Sequence, residues 1–361
     1  MASLEPVDYW SSNSVLSVME LAKEQMIAIP KSYICPDQEP LALSTDCTTL
    51  PTITTIDMKK LVFGEATDLE LDKLHSTCKD WGFFQLVNHG VSSSLLKKLK
   101  HDIEEFFKLP LEEKIKYKVR PGDVEGYGTI VRSKGQKLDW GDRFYMTVNP
   151  THRRKPYLFP ELPTSLRHNL ESYLSELQKL AMTLMVLMGK AVKMEMREME
   201  LFEDGLQSMR MTFYPPCSQP ELVVGLSPHS DLTGITILHQ VNGVDGLQIK
   251  KDGVWIPVNF LPDAFVVNVG DIMEILSNGA YTSIEHRATV NSEKERISIA
   301  TFFNPKLEAE IGPATSLLTT ETPPLFKRIG MEEYVKHYFS RNINGKSLEQ
   351  LRIKIGEGNT A

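Results

Sequence analysis

The chain has 361 residues, a length that suits one large or two closely joined domains rather than three. With 41% apolar and 24% charged residues it has the composition of a soluble globular protein, and its net charge of −7 lacks the basic excess of a nucleic-acid-binding surface. The N-terminus has no cationic start followed by an apolar core, the run 180–189 is too short to span a bilayer, and "GEGNTA" carries no prenylation or retrieval motif.

A cytoplasmic protein is therefore expected, monomeric by default, with a small-molecule ligand and neither membrane nor nucleic-acid partner. The four cysteines, Cys35, Cys47, Cys78 and Cys217, are scattered without paired spacing and read as free thiols. The basic run Arg153-Arg154-Lys155 reads as a solvated loop.

Residues 1–50 read as a variable segment, with a short helix in "SVLSVMELAKEQ" and a turn-rich wrap in "PDQEPLALSTDCTTLP". At "LPTITTIDMKKL" the spacing of Ile53 and Ile56 starts a strand. In "DLELDKLHSTCKDWG" the residues Leu71, Leu74 and Cys78 fall at helical spacing, and Gly82 ends the helix. "FFQLVNHG" follows as a strand, where His89 between Asn88 and Gly90 shapes a turn. Two more helices are expected, "SSLLKKLKHDIEEFFK" before Pro110 and a long one from Leu166 to the Met-rich "LMVLMGKAV", which reads as core.

From about residue 206 the texture changes. "MRMTFYP", "LVVGL", "GITILHQ", "GLQIK", "VWIPV", "FVVNVG", "MEILS" and "RISIATFF" are short strand-like runs, with Asp252-Gly253 and Asn278-Gly279 as hairpin turns. Such a series implies a sandwich or barrel. The chain thus divides into a variable segment (1–50), a helical part (51–205), a β part (206–310) and a helical tail (311–361).

Chemistry concentrates in "PHSDLTGITILHQ". Residues two apart on a strand share a face, so His229 and Asp231 point the same way. They form either a structural hydrogen-bonded pair or two-thirds of a metal site. Among later histidines, His337 lies in the tail, His239 sits at the far end of the run, and His286 ends a separate strand-like run. Two imidazoles and one carboxylate make the facial triad of non-haem Fe(II) oxygenases, which leaves positions open for a chelating cosubstrate and O2. A structural zinc site would close its shell, usually with cysteine.

Downstream, Arg296 and Ser298 share a strand face. A buried arginine needs an anion: a carboxylate of the chain itself or that of a ligand. Tyr214, before Pro215-Pro216, is a further donor.

The chain resembles the plant 2-oxoglutarate- and Fe(II)-dependent dioxygenases. The likeness covers nearly its whole length through "DWGFFQLVNHGV", "LPLEEKIKY", "EGYG", "QKLDW", "YPPC", "GLSPHSD", "LTGITIL", "VNVGD", "SNGAYTSIEHR" and "ERISIATF". It is similar above all to the specialised-metabolism branch that includes codeine and thebaine O-demethylases. The resemblance implies a mixed α/β (α+β) fold with a double-stranded β-helix (jelly-roll) core. It implies iron on His229, Asp231 and His286, and the distal carboxylate of 2-oxoglutarate on Arg296 and Ser298 with Tyr214 assisting. O2 would be the second cosubstrate and ascorbate the reductant.

Expected activity is oxidation of a C–H bond of an alkaloid or phenolic, by hydroxylation or O-demethylation, with release of succinate and CO2. A desaturating or ring-closing oxidase would share the same residues. A binding protein retaining the fold would keep the shell without turnover. The family's Asn-Tyr-Tyr-Pro is here Thr212-Phe213-Tyr214-Pro215, so Thr212 replaces an amide near iron and cosubstrate. Thr129 and Ile130 stand where relatives often carry an aromatic residue, which implies a reshaped substrate pocket. By motif position Tyr127, Phe144, Arg210, Phe303 and Asn304 either approach that pocket or are simply packed.

Overall fold

The computed structural model describes residues 17–23, 28–35, 51–63, 67–129, 136–340, 345–346 and 348–353. Its helices are α1 (Val18–Lys23), α2 (Met58–Phe63), α3 (Thr67–Asp80), α4 (Ser93–Lys108), α5 (Leu111–Ile115), α6 (Thr164–Ala191), α7 (Asp271–Leu276) and α8 (Met331–Ser340). The strands are β1 (Thr55–Asp57), β2 (Phe83–Val87), β3 (Gly126–Tyr127), β4 (Asp142–Asn149), β5 (Leu206–Tyr214), β6 (Leu226–His229) and β7 (Ile235–Gln240). They continue with β8 (Leu247–Lys251), β9 (Val254–Pro257), β10 (Phe265–Val269), β11 (His286–Ala288), β12 (Arg296–Asn304), β13 (Glu310–Ile311) and β14 (Ile329–Gly330).

Two sheets face each other as a jelly roll flanked by helices. The larger has eight strands in the order β1-β2-β10-β7-β12-β5-β4-β3, and the smaller has four in the order β6-β11-β8-β9. The helical part of the chain therefore donates β1 to β4 to the large sheet. The strand β4, which the sequence reading leaves unassigned, alternates buried and half-buried residues along its whole length.

Strand periodicity sorts the two faces of the large sheet. Ile235 and Ile237 of β7, Ile297, Ile299 and Phe303 of β12, and Met209, Met211 and Phe213 of β5 join one core with α4 and α6. From α6 come Leu166, Leu170, Tyr173, Leu174 and Leu177, the row seen in the sequence. Burying each such leucine contributes roughly 1.5–3 kcal/mol. The alternate residues face the small sheet, where Phe83, Leu247, Ile249, Ile256 and Val266 form a second apolar cluster.

Some expected strands are otherwise. "MEILS" lies mostly in helix α7, all six of whose residues are buried. A helix covered on every side shows no amphipathic period and is easily read as a strand. Asn278 and Gly279, at φ +51° and +79°, close that helix, the Gly279 N–H donating to Glu274 O at 2.9 Å, rather than turning a hairpin. Asp252-Gly253 does turn one, between β8 and β9. Only Leu226 of "LVVGL" enters a strand.

The basic run is paired rather than merely solvated: Arg153 meets Glu308, Arg154 meets Glu171 and Lys155 meets Asp123. Cys35, Cys78 and Cys217 are free thiols, while Cys47 and the wrap around it lie outside the described residues. No helix among the described residues is long and apolar enough to cross a membrane.

Helix α8 and Gly345 lie against the iron-site loop expected from the sequence. The Gly345 N–H donates to Pro228 O at 3.0 Å, and the Tyr338 hydroxyl donates to Ser230 O at 3.1 Å. Buried Glu274 of α7 accepts from both Lys346 (2.7 Å) and Arg352 (2.9 Å), which fastens this end of the chain to the core.

Candidate active site

The sequence places His229 and Asp231 on one strand with the "ITIL" run. In the structure they belong to the junction between the sheets instead. His229 is the last residue of β6, Asp231 lies in the connection, and β7 starts only at Ile235. His286 begins β11 and stands directly opposite His229 in the antiparallel register. The two imidazole centroids are 4.3 Å apart.

Backbone carbonyls orient both rings. His229 Nδ1 is 2.8 Å from Ser227 O, and His286 Nδ1 is 3.3 Å from Ile284 O. A carbonyl only accepts, so each Nδ1 carries the proton and each Nε2 offers its lone pair. Both Nε2 atoms point at Asp231 Oδ1, at 3.4 Å from His229 and 3.7 Å from His286. The other carboxylate oxygen, Oδ2, accepts from Thr236 Oγ1 at 2.6 Å and Asn268 Nδ2 at 2.9 Å. One oxygen is thus anchored and the other presented.

Burial alone would raise the Asp231 pKa, but the facing His286 and His229 and the Thr236 hydroxyl hold it well below the usual carboxylate range. Burial, with His229 beside it, pulls His286 down to about 4. At neutral pH the three groups therefore present one carboxylate and a neutral His286 imidazole, the states a divalent cation needs. One ligand atom from each lies within 4.8 Å of the others, as a single ion requires.

Sequence reasoning did not single out Thr236 or Asn268, although each is a polar residue inside an apolar strand run ("ITIL", "FVVNV"). The "VNVGD" motif also fixes the Asp231 backbone, since the Asp271 N–H donates to Asp231 O at 2.7 Å. Gly270 permits this approach, because a Cβ there would lie 2.1 Å from Thr233 O. Asn268→Ala should weaken iron binding about ten- to a hundred-fold, the usual cost of losing a partner behind a ligand. Equilibrium titration of the apoprotein with Fe(II) tests this, and unchanged affinity would show that Thr236 alone suffices.

Beside the triad a cavity opens between the sheets. Arg296, Ser298, Ala300 and Phe302 line it from β12, Arg210, Thr212 and Tyr214 from β5, and Thr236 and Leu238 from β7. In register, Tyr214 opposes Arg296, and Thr212 opposes Ser298. The Arg296 side chain is buried, 5.0 Å from the Tyr214 ring centroid, with its Nε unpartnered. It meets Gln240 Oε1 at a long 3.5 Å and the Tyr214 hydroxyl, and feels Asp245 at a distance, but no carboxylate of the described residues lies within ion-pair range. A guanidinium stays charged, so this buried cation is a donor suited to a ligand carboxylate. The observation favours a ligand carboxylate over an internal salt bridge, and His229, Asp231, His286 and Arg296 together fit Fe(II) and 2-oxoglutarate.

The chain matches the family model for the 2OG-Fe(II) oxygenase superfamily over residues 205–305, and that for the non-haem dioxygenase in morphine synthesis N-terminal over residues 53–163. It is 53% identical to codeine O-demethylase of Papaver somniferum over 94% of this chain and 96% of that protein. It is 49% identical to oxoglutarate-dependent flavonoid 7-O-demethylase 1 of Ocimum basilicum, over 95% and 92% of the two chains. The crystal structure of JOX2 in complex with 2OG, Fe and JA superposes with a TM-score of 0.86 at 35% identity, covering 94% of this chain and 98% of that one.

The chain belongs to the 2OG-Fe(II) oxygenase superfamily.

This oxygenase is an Fe(II)- and 2-oxoglutarate-dependent oxidoreductase with a jelly-roll core. Of the residues expected near substrate, Arg210 lines the cavity, with its Nε buried and unpartnered. For the others the packed alternative holds or the cavity lies elsewhere. Tyr127 is buried in the helix-side core, where its hydroxyl donates to Asp142 Oδ2 at 2.5 Å. Phe144 stacks on Phe106 at 5.2 Å in the same core. Phe303 has odd parity on β12 and faces the helices, so its neighbour Phe302 faces the cavity. Asn304 has the cavity-side parity but sits at the far end of β12, outside the lining. His239 packs near Tyr173 and Phe265, where burial lowers it to about 4, and it takes no part in the site. His89 stacks on Phe265 at 4.1 Å, with its Nε2 on Asp263 O at 3.0 Å, as a turn residue. Thr212 lines the cavity, while Ile130 lies outside the described residues.

Proposed function

We propose that this oxygenase removes an O-methyl group from a plant metabolite of alkaloid or phenolic size. The observation that carries this reading is that relatives about half identical over nearly the full chain, codeine O-demethylase and flavonoid 7-O-demethylase 1, are named for that reaction. Phe83, Leu226, Leu238, Leu247 and Phe302 wall the cosubstrate cavity beside the triad, with Arg210 at its lining.

Iron held by His229, Asp231 and His286 would supply O2 activation coupled to oxidative decarboxylation of 2-oxoglutarate to succinate and CO2. Arg296 grips the distal carboxylate as a two-pronged donor, with Ser298 and Tyr214 beside it. Asn268 and Thr236 keep Asp231 Oδ2 occupied, so that Oδ1 alone faces the metal. The apolar walls exclude water from the cosubstrate side of the metal. Net reaction inserts one oxygen atom into a methoxy C–H bond. The resulting hydroxymethyl ether loses its hydroxyl proton to the ether oxygen as the C–O bond breaks, giving formaldehyde and the free hydroxyl compound.

The test is mass-resolved turnover with Fe(II), 2-oxoglutarate, ascorbate and a panel of methoxylated and unmethoxylated alkaloids and phenolics. Expected are products lighter by one methylene, with formaldehyde and succinate in equal amounts. A product heavier by one oxygen would replace demethylation by hydroxylation. A product lighter by two hydrogens would mean desaturation or ring closure.

A further inference from the structure

The motif "QKLDW" is unused by the site as described so far, yet its Asp139 reaches the iron-site strand. The strand β6, which ends in His229, is the edge of the four-stranded sheet, whereas β11, which carries His286, lies between two neighbours. An edge strand exposes backbone groups on its outer side and is easily displaced; here Gly345 bridges that side beyond Ser227, with its N–H on Pro228 O. On that side Asp139 Oδ1 accepts from both the Ser227 N–H (2.9 Å) and the Ser227 hydroxyl (2.6 Å). The Ser227 carbonyl in turn accepts the Nδ1 proton of His229 at 2.8 Å.

Asp139 is itself firmly set. Leu138 N–H donates to Ser32 O at 2.9 Å, and Trp140 N–H donates to Val224 O at 2.7 Å. The Trp140 indole N–H donates to Pro215 O at 3.2 Å, and its ring meets Tyr33 edge-on at 5.4 Å. The segment is stitched between the N-terminal residues 28–35 and the loop that leads into β6.

We propose that Asp139 is a positioning residue for the metal ligand His229, acting through Ser227. It holds the edge strand at the residue whose carbonyl sets the tautomer and rotation of the imidazole. His286 needs no equivalent, because β6 and β8 pair β11 on both sides. The role is one of hydrogen bonding: the single atom Oδ1 takes both bonds, and an asparagine Oδ1 can accept the same two.

The experiment measures metal affinity of the full-length apoprotein without turnover. Mn(II) serves as a redox-inert probe, with the free ion counted by electron paramagnetic resonance. Asp139→Ala should weaken Mn(II) binding about ten- to a hundred-fold. Asp139→Asn should stay within about three-fold of the parent, on the same argument that hydrogen bonds to the Ser227 donors are what matter. With saturating Fe(II), the KM for 2-oxoglutarate should be unchanged in both, because Arg296 is untouched. If Asp139→Ala does not fold, Asp139→Ser, too short to span to Ser227, takes its place. Affinity within two-fold of the parent in the truncated variant overturns the proposal, and so does an asparagine variant as weak as the truncated one.

Discussion

Asp231→Ala should abolish succinate formation and weaken Fe(II) binding by well over the roughly hundred-fold that a supporting residue can cost. The reason is the division of labour between its oxygens. Oδ1 faces His229 and His286 at 3.4 and 3.7 Å, while Oδ2 is held by Thr236 and Asn268. Alanine leaves two imidazoles, 4.3 Å apart between centroids, with no anion to offset a divalent charge. Anaerobic Fe(II) titration and a succinate assay read the two effects separately. Retained succinate formation in a folded variant would remove the triad assignment.

Arg296→Ala should raise the 2-oxoglutarate requirement by thirty-fold to a few thousand-fold, corresponding to about 2–5 kcal/mol for truncating one partner of a buried charged pair. Iron binding should be intact. A second readout separates this from a structural salt bridge. Arg296 has no ion-pair partner among the described residues, its Nε is buried and unpartnered, and burial lowers its pKa. Tyr214 and Asp245 offset only part of the burial of this charge, so its removal relieves a desolvation cost and Tm without 2-oxoglutarate should not fall much. What should vanish is the rise in Tm that 2-oxoglutarate gives the parent enzyme. A large drop in Tm of the ligand-free variant, with an unchanged KM, would assign Arg296 to the scaffold instead.

The site was legible to different depths. The types and spacing of His229, Asp231, His286, Arg296 and Ser298 name a chemistry, because few constellations other than a facial triad with a carboxylate grip use that set. Strand parity correctly predicts that Arg296 and Ser298 share a face, and extends to Phe302. The same rule, applied to Phe303, would have turned it towards the helices. Motif position alone leaves Tyr127 and Phe144 either at the pocket or packed, because it does not tell which side of β3 and β4 faces the cavity. Asn268, Thr236 and Asp139 escaped notice because a polar residue in an apolar run has no visible partner until the chain folds.

The fold shows the same division. Local periodicity is enough for the long helices α4 and α6 and for strands such as β7 and β12, because a repeating apolar face needs only its own sequence to be recognised. The element α7 is buried on all sides, so its pattern carries no period, and only its surroundings make it a helix. Residue types and their order along the chain thus determined the class of chemistry and the ligand set. The tertiary structure alone decided that His229 and Asp231 stand at the junction of two sheets, that Arg296 has no ion-pair partner among the described residues, and that Asp139 meets the edge strand at Ser227. Each of these depends on which distant segments share a neighbourhood, and hydrogen bonds and buried charges take their value from that neighbourhood rather than from the residue that bears them.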